Sequence, residues 1–145
     1  MSAGSGDVVA RFQDAQNRHD IDAFVACFAP DYRSAQPAHP GREFVGSDQV
    51  RKNWTAIFDG VPDLRSDLLR RASSPDPTEP DTEVHFVEWH WHGTRHDGSR
   101  LEMRGVTLFG VRDDLIVHGT LHMNDVVQAE ETIDASVATL VHAEG

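Results

Sequence analysis

Over the first sixty residues the apolar positions recur at helical spacing. Val8, Val9, Ala10, Phe12 and Ala15 share one face, so residues 7–19 predict an amphipathic helix. Asp20 is placed to cap a second helix, with Ile21, Phe24, Val25 and Phe28 as its stripe and Pro30 as its end. Residues 31–46 hold two prolines and two glycines, which suits a short strand followed by a loop. Ser47 is expected to cap a third helix, with Asp48 in its first turn, where a negative charge suits the helix dipole. Val50, Trp54, Ile57 and Phe58 form its apolar face, and Gly60 with Pro62 stops it.

After Pro62 the period becomes that of strands. Residues 63–73 read as one strand, and the segment SSPDPTEPD, with three prolines and no apolar residue, as a surface loop. Strand-like runs follow over Glu83–Thr94, Ser99–Arg112 and Leu115–Val126. Asp97-Gly98 joins the first two and is the strongest hairpin signal in the chain; Asp113-Asp114 joins the second pair. Helices must cover one face of such a meander, so the fold class is α+β, with a cavity for a small molecule between the layers. The expected division is a disordered tail over 1–6, one domain over 7–128, and an acidic tail over 129–145 that is a weak helix or frayed.

Composition narrows the function. At 145 residues, 39% apolar and 26% charged, the chain suits one globular domain with a sizeable core. Twenty-four acids against 13 bases give a net charge of −11, which disfavours nucleic acid and anionic membranes as partners. The lone cysteine, Cys27, has no disulfide partner and is expected in the core; zinc-type cysteine spacing is absent. Apolar runs of four or five residues are too short to span a membrane, and MSAGSGD lacks signal-peptide character, so a cytoplasmic location is expected. Lys52 is the only lysine beside twelve arginines, which argues against Schiff-base chemistry. Phosphate-loop, nucleophile-elbow and dinucleotide motifs are missing as well.

Two-residue turns at both hairpins fix a register in which Glu88 faces Thr107, His90 faces Gly105 and Gly105 faces His122. One sheet face then carries Phe86, Glu88, His90, His92, Thr107, Phe109, His118, Thr120, His122 and Asn124. The other carries Val87, Trp89, Trp91, Arg104, Val106, Leu108, Leu121, Met123 and Asp125. The first face is rich in proton-moving groups, with Gly105 leaving a gap between His90 and His122; the second is more apolar and suits the core equally well. Arg104 and Asp125 form a rival polar pair on the second face. Trp54 and Tyr32 are expected as walls near one rim of the cavity, and His19, His39, His96 and His142 as solvent-exposed groups. His90-x-His92 has metal-ligand spacing but no evident third ligand from a neighbouring loop, so no metal is expected.

The segments FAPDY, GSDQVRKNWTAIFDGVPDL, EWHWHGTRHDG and MRGVTLFGVRDDLIVHGTLHMNDV resemble the SnoaL-like polyketide cyclases of the nuclear-transport-factor-two-like superfamily, over residues 7–127. The resemblance implies a conical fold, with three N-terminal helices packed on a curved, mainly antiparallel sheet. It implies a deep pocket and cofactor-independent acid–base chemistry on a small, largely apolar oxygenated molecule: cyclisation, isomerisation, dehydration or epoxide opening. Asn124 stands where the cyclase pattern has its aspartate, and His122 matches the histidine two residues before it. On that footing His122 is the expected general acid–base, His90 its counterpart, Glu88 an orienting group or base, and Asn124 an oxygen anchor. Tyr32, Trp54, His92, Thr120 and Phe109 are the expected substrate contacts, with no cofactor. A non-catalytic small-molecule-binding protein of the same fold is the alternative. With the histidine face turned to the cavity, the apolar second face would lie outside, and a homodimer through it is expected.

Overall fold

A computed structural model describes residues 7–128 and 131–142. The elements are α1 (Val8–Arg18), α2 (Ile21–Val25), β1 (Phe28–Ala35), a 3-10 turn (Pro40–Arg42), β2 (Phe44–Val45) and α3 (Ser47–Gly60), then β3 (Arg65–Pro75), β4 (Glu83–Thr94), β5 (Arg100–Arg112), β6 (Leu115–Asp125) and α4 (Ile133–Val141). The six strands form one sheet in the order β2-β1-β6-β5-β4-β3, antiparallel except where β1 runs parallel to β6. The class is α+β, as expected. The expected tail over 1–6 lies outside the described residues, and α4, capped by Thr132, occupies part of the acidic C-terminal segment.

Local chemistry explains the boundaries. Asp7 and Asp20 accept hydrogen bonds from the backbone N–H groups of Ala10 and Ala23, each at 3.1 Å, and so start α1 and α2. The second helix is shorter than its apolar stripe suggests. The Ile116 N–H donates to the Cys27 carbonyl at 2.9 Å, and pairing with β6 draws Phe28 into a strand. Gly46, at φ +107°, takes the cap position of α3, and Ser47 is the first helical residue instead of the cap. Cys27 is buried against α2, as expected of a small core residue.

The sheet register differs from the expectation by one residue in two places, with separate causes. The β4–β5 loop is the three-residue stretch His96-Asp97-Gly98, closed by the hydrogen bond from Arg95 N–H to the Ser99 carbonyl. Gly98 N–H donates to the Arg95 carbonyl and Gly98 adopts φ +85°, a turn followed by a glycine bulge. Asp113-Asp114 is a two-residue turn with both φ positive, as expected, but Val111 pairs with Ile116 and Gly110 with His118, so Val117 is an extra residue on β6, a bulge that shifts the pairing beyond it. The two slips flip β5 relative to its neighbours while leaving β4 and β6 in the same relative orientation.

Trp89 therefore pairs with Gly105, which pairs with Met123; His90 pairs with Arg104, which pairs with Asn124. The face packed on the helices carries Val87, Trp89, Trp91, Thr107, Phe109 and Met123, all buried. Phe12 of α1 is the hub of this core, with ring centroids 4.8 Å from Phe24, 5.2 Å from Phe109 and 5.4 Å from Trp89. Trp89 Nε1 donates to Thr107 Oγ1 at 2.8 Å, which meets the polar needs of two fully buried side chains at once.

Three expectations fall with the register. Of the apolar residues expected outside, only Val106 and Leu108 stay there; Val87, Trp89, Trp91, Leu121 and Met123 belong to the inner face, so the patch that called for a second copy is not formed. Arg104 and Asp125 lie on opposite faces, since Arg104 pairs with Asn124 and Asp125 with Met103. Gly105 opens no gap for a substrate. A side chain there would meet the β6 backbone, 2.8 Å from Met123 Cα, so the glycine lets the β6 backbone approach closely.

Candidate active site between helices and sheet

A cavity of about 710 Å³ lies between the inner sheet face and helices α1 and α3. Its walls follow from the periodicities above. Alternation along β4, β5 and β6 brings in Trp91, Phe109 and Met123, and helical spacing on α3 brings in Val50, Trp54 and Ile57. Trp54 packs edge-on against Trp91 at 5.7 Å and tilted on Phe24 at 4.8 Å, a braced aromatic corner.

The deepest polar group is on β1. Alternation places Tyr32 and Ser34 inward, with Tyr32 only 3% exposed. Burial pushes the phenol up to about 12, against the opposing effect of a hydrogen bond from Ser34, so it stays protonated at any physiological pH and serves as a donor. Gly119 makes room for it. A Cβ there would lie 3.2 Å from Tyr32 Cζ and closer still to the hydroxyl oxygen. Trp91 is also a wall residue, and its indole N–H is buried with no hydrogen-bond partner among the described residues.

The remaining polar lining includes Arg42, which donates to Gln36 Oε1 at 3.0 Å, and Asn53, whose Oδ1 accepts from Gln49 at 2.8 Å. The β4–β5 loop adds Arg95, His96 and Asp97, all exposed, with the His96 Nε2 2.7 Å from the Asp59 carbonyl oxygen. Among the described lining residues no carboxylate or imidazole is buried. The arrangement can hold an apolar body and donate a hydrogen bond to an oxygen; among the described residues it holds no buried base.

Tyr32, Trp54 and Phe109 thus line the cavity. The other expected site residues do not. Glu88, His90, His92, Thr120, His122 and Asn124 lie on the outer face, because their strands turn Trp89, Trp91, Leu121 and Met123 inward. Glu88 accepts from Arg70 Nε at 2.7 Å, which holds its carboxyl below the usual range. His90 and His92 are 2.8 Å from Glu102 and 2.9 Å from Asp67 respectively, while His122 and Asn124 are exposed. His19 also departs from expectation: it stacks on Phe58 at 4.5 Å and its Nε2 lies 2.9 Å from the Leu64 carbonyl oxygen. Sequence reasoning missed Phe12, Trp91 and Ser34 as wall residues. The available signal was the more apolar face of β4, where Val87, Trp89 and Trp91 alternate.

Two clusters outside the cavity have ligand-type atoms within 4.8 Å of one another: Asp67 with His90 and His92, and Asp76 with Glu79 and His118. In the second, Glu79 is already engaged by Arg33 at 2.6 Å and faces Arg112 at 3.8 Å, which fills the place of a cation.

Solved structures share the fold. A provisionally assigned aromatic ring hydroxylase from Novosphingobium aromaticivorans is 22% identical, covering 88% of this chain and 90% of that one, with a TM-score of 0.69. A provisionally assigned isomerase from Bacillus subtilis is 12% identical over 86% and 90%, with a TM-score of 0.67. A SnoaL-like polyketide cyclase, also provisionally assigned, from a Jannaschia species is 19% identical over 96% and 92%, with a TM-score of 0.62. No curated protein matches the chain. At these identities the neighbours speak for the fold alone, whereas the match of residues 9–119 to the SnoaL-like domain is one of sequence, and the chain belongs to that family.

Proposed function

We propose that this chain binds a small, largely apolar oxygenated molecule in the inner cavity and promotes its isomerisation or cyclisation through hydrogen-bond donation from Tyr32. The observation that carries the reading is a neutral phenol, held protonated by burial, in the wall of a largely apolar cavity. A donor fixed in a dry site stabilises negative charge developing on a carbonyl or enol oxygen without reorganising. Enclosure by Trp54, Phe109 and Met123 would hold the molecule in a folded, reactive shape, which by itself lowers the barrier of an intramolecular step.

The acid–base scheme centred on His122, His90 and Glu88 is not carried forward, because those groups are on the far side of the sheet from the cavity. A second reading, a binding protein without turnover, is favoured by one observation: the described lining offers no buried base. Mass spectrometry of small molecules released from the denatured protein identifies the occupant. Turnover of that compound is then compared in wild type and Tyr32→Phe. The enzyme reading expects kcat to fall about 10²-fold or more, with KM changed only a few-fold. Undiminished turnover in Tyr32→Phe would refute the phenol's role, and absence of turnover with binding retained would establish the second reading.

A further inference from the structure

The histidines that the register removes from the cavity do not lie idle on the outer face. On β3 and β4, Asp67 pairs with His90 and Arg65 with His92, so one carboxylate and two imidazoles project from the same face of adjacent strands. The imidazole centroids are 4.6 Å apart. Asp67 Oδ2 lies 2.9 Å from His92 Nε2 and 4.0 Å from His90 Nδ1. Ligands of a tetrahedral zinc, at metal distances near 2.1 Å, stand about 3.4 Å from one another, so these separations straddle the required one. Side-chain shifts below about 1 Å would close the set around an ion.

The surroundings select the right form of each ligand. His90 Nε2 is 2.8 Å from Glu102 Oε2. A proton on Nε2, donated to that carboxylate, leaves the Nδ1 lone pair directed to the Asp67 side. This is the carboxylate–histidine–metal relay that orients ligating imidazoles in metal sites. Arg65 and Arg100 approach the other oxygens, Asp67 Oδ1 at 4.0 Å and Glu102 Oε1 at 3.7 Å, and leave Oδ2 and Oε2 to the histidines. The three ligands are partly exposed, so an ion can enter and water can complete its shell. Two imidazole nitrogens favour zinc, cobalt, nickel or copper over magnesium or calcium. The third ligand was invisible in the sequence because it comes from a strand 23 residues upstream of His90, brought alongside only by the β3–β4 pairing.

We propose that Asp67, His90 and His92 form a binding site for one divalent transition-metal ion of the zinc type, with Glu102 orienting His90. The site lies across the sheet from the cavity and ties edge strand β3 to β4. The inference is independent of the proposed chemistry.

The test uses tag-free protein. Zn²⁺ is titrated by calorimetry, Co²⁺ by its visible d–d absorption, and thermal midpoints are recorded with Zn²⁺ and with Mg²⁺. Expected are one saturable site per chain, tetrahedral-type Co²⁺ bands, and a midpoint raised by Zn²⁺ but not by Mg²⁺. His92→Ala and Asp67→Asn are expected to weaken Zn²⁺ binding at least tenfold, and Glu102→Gln by about 10- to 100-fold. Asp67→Asn preserves side-chain shape, so it remains informative if His92→Ala folds poorly. His118→Ala, in the other cluster, is expected to leave the Zn²⁺ affinity unchanged. No saturable Zn²⁺ binding, equal binding of Mg²⁺, or full affinity retained in Asp67→Asn would each overturn the proposal.

Discussion

The pair formed by Trp89 and Thr107 gives the sharpest thermodynamic handle on the sheet register. Both side chains are fully buried, and the only polar group of the indole donates to the threonine hydroxyl at 2.8 Å. Trp89→Phe removes a ring's volume from the core and strands the hydroxyl, and is expected to cost about 2–4 kcal/mol. Thr107→Val keeps the shape and strands the indole N–H instead, at about 1–2 kcal/mol. The double variant leaves no polar group unmet, so its cost should fall short of the sum by about 1 kcal/mol or more. Urea denaturation of the four proteins at neutral pH, with unchanged m-values, measures the coupling. In the register expected from two-residue turns the two residues lie on opposite faces and their effects add to within about 0.5 kcal/mol. Additivity of that kind would refute the observed register and return the histidines to the cavity.

Other consequences follow from single contacts. Thr78, through its backbone N–H and hydroxyl, and His118 hold the Asp76 carboxyl down to about 2, from an ordinary 3.8. Because the folded value is lowered, Asp76→Asn is expected to be destabilising at neutral pH; the deficit should shrink as pH falls from about 4 through about 2 and vanish below it, read from urea midpoints. A deficit that does not change with pH would contradict this. Gly119→Ala is expected to push Tyr32 aside, costing about 1–3 kcal/mol of stability, and to weaken cavity ligands about tenfold in a fluorescence titration. His122→Ala, on the outer face, should leave the same titration unchanged within about twofold.

Much of the fold was legible because its elements obey simple periods. The stripe of Val8, Val9, Phe12 and Ala15, the cap at Asp20, and the run from Glu83 to Thr94 all stand where the pattern put them. What could not be read was parity. A one-residue difference in turn length at Asp97-Gly98, and a bulge at Val117, each reverse the face on which every later side chain falls. The alternation of β4 was legible, but its orientation was not: proton-moving histidines suit a cavity, whereas the tryptophans on the opposite face bury more apolar surface and so turn inward. Tyr32, Trp54 and Phe109 arrive at the cavity for different reasons. Tyr32 and Trp54 belong to elements outside the two hairpins, whereas Phe109 was placed by the very register that failed: β5 and the chosen face were both reversed. Asp67 shows the opposite limit, since its partnership with His90 and His92 exists only through strand pairing.

The central claim is that an oxygenated apolar molecule lies in the inner cavity with its oxygen on Tyr32. Infrared difference spectroscopy of bound 2-acetonaphthone, carbonyl-labelled with ¹³C, tests it directly. This aryl ketone has one acceptor oxygen and no donor. A hydrogen bond from the buried phenol should move the carbonyl stretch to lower frequency than in an apolar solvent, and Tyr32→Phe should abolish most of that shift while the ketone still binds. Binding with the same carbonyl frequency in wild type and Tyr32→Phe would contradict the account, as would binding that is lost in His122→Ala.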